Sequence, residues 1–113
     1  METLENFVQR FSEAIGCYSH LTQSGIYSLK KYASSYARRR NVFAWVGKRK
    51  NLFRIDTLKD LADKAKVGHL ADGEKERLNW NEAGYFFFVM ENSLGDDFKK
   101  AVRALNAIKE QIY

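Results

Sequence analysis

Apolar positions recur at helical spacing near both ends of the chain and alternate in its middle. Leu4, Phe7, Val8, Phe11, Ala14 and Ile15 fall on one stripe, opposite Glu5, Asn6, Gln9, Arg10 and Glu13. With Thr3 as a cap and Gly16 as a stop, this predicts a first helix lying on a sheet. At the other end, Phe98, Ala101, Val102, Leu105, Ile108 and Ile112 keep the same period. Ser93-Leu94-Gly95-Asp96 is the expected start of that helix, with Asp96 and Asp97 at its positive end. Between the two, Val42–Val46 is β-branched and aromatic, with Phe43 and Trp45 assigned to one face and Val42, Ala44 and Val46 to the other. Gly47–Asn51 reads as a hairpin loop. Leu52–Asp56 is the returning strand, with Phe53 and Ile55 on one side and Leu52, Arg54 and Asp56 on the other.

The remaining segments are less regular. Ser24-Gly25 reads as a turn. In Ile26–Arg40, the spacing of Ile26, Leu29, Tyr32 and Tyr36 favours a helix, whereas alternation of Tyr32, Ser34 and Tyr36 favours a short strand. Thr57-Leu58-Lys59-Asp60 resembles a capping box opening a short helix over Leu58, Leu61, Ala62 and Ala65, which Gly68 would end. His69–Ala83 reads as a long polar connection with Leu78 and Trp80 as its large apolar anchors. Tyr85–Met90 is apolar throughout and too short for a helix, as in a strand buried on both faces. The expected fold is α+β: a small, mostly antiparallel sheet of three or four strands, with the N- and C-terminal helices packed on one face, in a single domain spanning residues 1–113.

Charge changes this picture. The 113 residues carry a formal +5, but from Ala14 to Ile55 there is no Asp or Glu. That stretch holds Lys30, Lys31, Arg38, Arg39, Arg40, Lys48, Arg49, Lys50 and Arg54, interleaved with Tyr27, Tyr32, Tyr36, Phe43, Trp45 and Phe53. The rest of the chain is net acidic. A cationic, aromatic segment of this kind points to an anionic partner: the cations neutralise phosphates, and exposed rings stack on unpaired bases. The alternative is a solvated face whose basic hairpin tips blunt strand edges and whose aromatics are core.

The chain offers little for catalysis. His20, His69 and the lone Cys17 have no metal-ligand spacing. Asp56, Asp60 and Asp63, and likewise Asp72, Glu74 and Glu76, read as solvated loop and helix charges. The seven glycines are isolated, so neither nucleotide-binding fingerprint is present. No enzymatic activity and no cofactor are expected. One cysteine, no basic-then-apolar leader and no apolar run longer than six residues predict a cytoplasmic protein without a membrane partner.

An aromatic strand (Tyr32 to Tyr36), a basic turn, a Phe-Ala-aromatic strand (Phe43-Ala44-Trp45), a second basic turn, a Leu-rich return, a Trp-x-x-x-Gly-aromatic run (Trp80 to Tyr85) and a helix ending near Tyr113 together resemble a small bacterial domain of unknown function. It is seen at the C-terminus of restriction-endonuclease-like proteins and of proteins described as predicted transporters. The resemblance implies that Tyr32–Ala37 is a strand, giving a three-stranded meander. It also implies a prokaryotic or phage defence setting, and it brings no catalytic residues.

The expected function is that of a non-enzymatic basic binding domain contacting nucleic acid, or a nucleic-acid-processing complex. The candidate contact residues are Lys30, Lys31, Arg38, Arg39, Arg40, Trp45, Lys48, Arg49, Lys50 and Arg54. The alternative is a protein-interaction module or inhibitor docking on an acidic surface. A homo-oligomer, formed through the last helix or a free strand edge, is a further expectation.

Overall fold

The computed structural model describes residues 1–33, 41–76 and 82–113. Its first helix, α1, spans Leu4–Ile15 and begins and ends where its local chemistry dictates. Thr3 Oγ1 accepts from the Asn6 amide, and Gly16 takes the left-handed conformation at φ 77°. Six strands follow around two further helices: β1 (Tyr18–Leu21), β2 (Tyr27–Lys30), β3 (Val42–Arg49), β4 (Leu52–Leu58), α2 (Lys59–Ala65), a turn of 3-10 helix at Gly68–Leu70, β5 (Gly73–Lys75), β6 (Gly84–Met90) and α3 (Asp96–Lys109). The strands form one antiparallel sheet in the order β1-β2-β3-β4-β6-β5.

The α+β expectation holds; the expected strand count does not. Tyr27–Lys30 is a strand and not part of a helix. It pairs with Tyr18–Leu21 across a turn in which the Thr22 amide donates to the Ile26 carbonyl and Gly25 sits at φ 84°. All four residues of β1 are exposed, so no apolar alternation marks it in the sequence. Tyr32 and Ala33 lie in a bend, and the rest of the expected Tyr32–Ala37 strand lies outside the described residues. Within His69–Ala83, expected to be loop, Gly73–Lys75 pairs with β6; Leu78 and Trp80 lie outside the described residues.

The helices share one side of the sheet. Phe7 of α1 stacks on Phe53 of β4 with ring centroids 4.2 Å apart and planes 7° from parallel, and Phe98 of α3 meets Phe11 edge-on at 5.9 Å. Phe7, Phe11, Phe43, Phe53, Phe87, Leu29, Ile55, Leu105 and Ile108 are fully buried in this layer. Each such side chain contributes about 1.5–3 kcal/mol relative to leaving it in water.

Two features decide which residues face this core. Between Leu29 and Lys30 the β2–β3 register shifts by one residue, a bulge that puts both Phe43 and Ala44 into the core. Trp45 therefore falls on the opposite face from Phe43, not on the same one. The second feature is Gly84, where a Cβ atom would stand 1.9 Å from the Thr57 carbonyl oxygen. Only glycine lets β4 and β6 approach there.

Two expected caps are built differently. Thr57 is a strand residue, 2% exposed, whose hydroxyl donates to the Phe43 carbonyl, and α2 starts without a side-chain cap. α2 ends on Lys66 at φ 59°, two residues before Gly68. At α3 the cap residue is Gly95. Asp97 organises that turn, accepting from the Ser93 hydroxyl and from the Met90 and Phe98 amides.

Candidate functional site

Because α1, α2 and α3 lie on one side, the other side of the sheet carries no helix among the described residues. Register places its residues in rows. The central row crosses all six strands: His20, Ser28, Trp45, Asp56, Phe86 and Gly73. Beside it run Gly47, Arg54 and Phe88, and then Arg49, Leu52 and Met90 at the hairpin end. On the other flank lie Tyr18, Lys30 and Val42, with Lys75 towards the far edge.

The centre of this face is aromatic. Trp45, Phe86 and Phe88 are half-buried, and the rings of Phe86 and Phe88 lie 5.2 Å apart. Phe86 lies over Gly73, where a Cβ would stand 2.4 Å from the ring. The Arg54 guanidinium sits over the same ring, 4.2 Å from its centroid. Arg54 is also paired with Asp56 at 3.1 Å. Asp56 is the one carboxylate among the strand residues on this side, against Lys30, Arg49, Arg54 and Lys75. The cations with no ion pair among the described residues form a rim. Lys30 is level with the start of β3 and Arg49 with its end, about 23 Å apart at the rise of an extended strand. Arg49 and Lys50 are exposed, and Lys50 turns the hairpin at φ 45°.

The sequence candidates therefore separate into groups. Lys30, Trp45, Arg49 and Arg54 lie on the helix-free face, and Lys50 lies at its hairpin end. Lys48 belongs to the core side of β3. Its ammonium stands 2.6 Å from Glu91 and donates to the Glu2 carbonyl at 2.7 Å. Lys31 reaches the opposite end of the chain, donating to the Ile112 carbonyl. Arg38, Arg39 and Arg40 lie outside the described residues. The charge gathered in sequence is thus divided in space, and carboxylates from the chain's flanks meet part of it.

Phe86 and Phe88 belong to this face but were not among the sequence candidates. Their run, read as buried on both sides, is buried on one: Tyr85, Phe87 and Val89 face the helices. The usable signal is the helix count. When every helix lies on one side, alternate positions of an aromatic strand remain uncovered on the other.

The densest titratable cluster elsewhere joins α2, β5 and β6. Lys59 donates to the Tyr85 hydroxyl at 3.0 Å and to Glu74 at 3.1 Å, while Tyr85 donates to Asp63 at 2.7 Å. The Tyr85 hydroxyl, followed by Glu74 and Asp63, raises the Lys59 pKa further above its ordinary value. The Tyr85 hydrogen bond and the Lys59 charge hold Asp63 low. Every member is hydrogen-bonded to another within the cluster, which suits a brace better than acid–base exchange. Cys17 is half-buried and burial pushes its thiol up to about 11, so it is a poor nucleophile at neutral pH. Among the described residues no group of three His, Cys, Asp or Glu side chains converges as a metal site, and no helix is long and apolar enough to cross a membrane.

Comparison with protein-family models, with curated proteins and with solved structures returns no match to this chain.

Proposed function

We propose that this protein is a non-enzymatic binding domain that takes unpaired nucleic acid on the helix-free face of its sheet. The observation that carries the reading is the composition of that face: Trp45, Phe86 and Phe88 at the centre, Lys30, Arg49, Lys50 and Lys75 around them, and Asp56 as the one carboxylate among its described strand residues, tied to Arg54. Bases stack on aromatic rings irrespective of sequence, and rim cations track the backbone. The aromatic centre stacks on splayed-out bases, which a single strand offers and a duplex does not, so single strands are favoured over duplex. The bacterial or phage defence setting is part of the same proposal and rests on the sequence resemblance.

A protein partner is the second reading, favoured by the neutralisation of Arg54 by Asp56 and by the engagement of Lys31 and Lys48 within the fold. Fluorescence anisotropy with labelled single-stranded and duplex oligonucleotides separates the two readings. Neutralising three or four phosphates on a single strand gives a log–log salt slope of about −2 to −3, with duplex binding weaker. Failure of every oligonucleotide to bind at low salt removes the nucleic-acid reading and leaves the protein partner.

A further inference from the structure

The two edges of the sheet are built differently. β5, at one edge, has three residues and carries Glu74 and Lys75. Beyond it, the outward amides of β6 are already occupied: Phe88 donates to Asp72 at 2.7 Å and Met90 to Asp97 at 2.8 Å. That edge is closed to a further strand in the ways proteins ordinarily close one, by shortness, charge and side-chain capping.

β1, at the other edge, has none of the charged defences. Tyr18-Ser19-His20-Leu21 contains no Lys, Arg, Asp, Glu, Pro or Gly, and its pairing with β2 has no bulge. Among the described residues no further strand pairs with β1. Tyr18 and Leu21 are 53% and 54% exposed. The direction of the free backbone groups follows from the turn. The Thr22 amide donates to Ile26 across the β1–β2 hairpin. Alternation along an antiparallel strand then turns His20 and Tyr18 towards β2, and Ser19 and Leu21 outward. The Ser28 hydroxyl, 3.4 Å from the His20 carbonyl, agrees with this.

We infer that β1 pairs antiparallel with β1 of a second copy of this chain. With His20 opposite its own symmetry mate, Ser19 of each copy faces Leu21 of the other. Both residues have outward amides and carbonyls, so the register is self-complementary and closes four hydrogen bonds about a twofold axis. Two six-stranded sheets become one of twelve. The central rows of the helix-free faces then meet at His20, and the proposed binding face continues from one copy into the next.

The interface is small, so the dimer is weak, with a Kd of about 10–500 µM. Sedimentation of the full chain across that range should show the mass rising from 13.1 kDa towards twice that value. In parallel, amide exchange at Ser19 and Leu21 should slow with concentration. Ser19→Pro removes an outward amide without touching the β1–β2 ladder, and Leu21→Lys places a charge on the edge. Each should hold the protein monomeric with its circular dichroism unchanged, and Leu21→Lys decides the matter if the proline variant fails to fold. A monomer at the highest concentration overturns the inference, as does a dimer that forms equally well in the folded variants.

Discussion

Replacing Glu2 by Gln tests whether the start of the chain is structural. Glu2 is 8% exposed despite its position. Its carboxylate accepts from Arg10 Nε at 2.6 Å, Arg10 Nη2 at 3.0 Å and the Asn92 amide at 2.7 Å. Arg10 also donates to the Ser93 carbonyl at 2.7 Å and lies between the rings of Phe7 and Phe98, 5.0 and 4.7 Å from their centroids. In Gln, one oxygen becomes an NH2 group facing a donor, and the guanidinium loses its counter-ion in a partly desolvated site. Hydrogen bonds to charged groups contribute about 1.5–3 kcal/mol, so a loss of about 2 kcal/mol is expected. At about 2.1 cal/mol/K per residue the unfolding entropy of a chain this size is about 0.24 kcal/mol/K, which converts the loss into a Tm drop of about 8 °C.

The pH dependence of the same substitution has a definite sign. Arg10, aided by the Asn92 amide and Lys48, holds the Glu2 pKa below its ordinary 4.5 against the opposing effect of burial. The carboxylate's contribution is therefore complete above the unfolded value and disappears as the pH falls through the lowered folded one. Thermal unfolding of the two proteins should differ by the full amount at pH 7 and converge in acid below pH 4.5. Equal Tm values at pH 7, or a gap that does not narrow in acid, would refute the assigned role.

Other substitutions report on the backbone and on Cys17. Gly84→Ala should cost more than about 3 kcal/mol in urea unfolding, because the new methyl meets a backbone oxygen at 1.9 Å and β4 must separate from β6; a loss below about 1 kcal/mol would contradict that close approach. Lys66→Gly should raise stability by about 0.5–1 kcal/mol, since Lys66 closes α2 in the left-handed region at φ 59°; an unchanged unfolding midpoint would count against that geometry. Alkylation of Cys17 should be slow in the folded protein at pH 8 and should accelerate on unfolding, because burial pushes its thiol up to about 11; equal rates in both states would contradict it.

The parts of the fold legible in the sequence are those with local causes. α1 could be bounded because Thr3 and Gly16 act within one turn of its ends. The α3 stripe and the hairpin of β3 and β4 carry their periods openly. β1 was hidden because an exposed edge strand has no apolar face to alternate against, and β2 because its four residues, with Ser28 and Leu29 both buried, show no alternation of burial. The orientation of Phe43 relative to Trp45 was misjudged because a bulge shifts the period by one residue, and only pairing with β2 creates that bulge. For the site, composition marked Trp45, Arg49, Lys50 and Arg54. It could not separate them from Lys31 and Lys48, whose partners come from Ile112, Glu2 and Glu91 at distant points of the chain. Phe86 and Phe88 are not legible as site residues in the sequence, because the side on which the helices pack is a tertiary fact.

Titration of isotope-labelled protein with a short single-stranded oligonucleotide, followed by amide and indole NMR shifts, tests the central claim most directly. The account predicts that perturbations fall on Trp45, Arg49, Arg54, Phe86 and Phe88, while the outer surfaces of α1, α2 and α3 stay unmoved. Shifts gathered on the helices, or none at low salt, would contradict it.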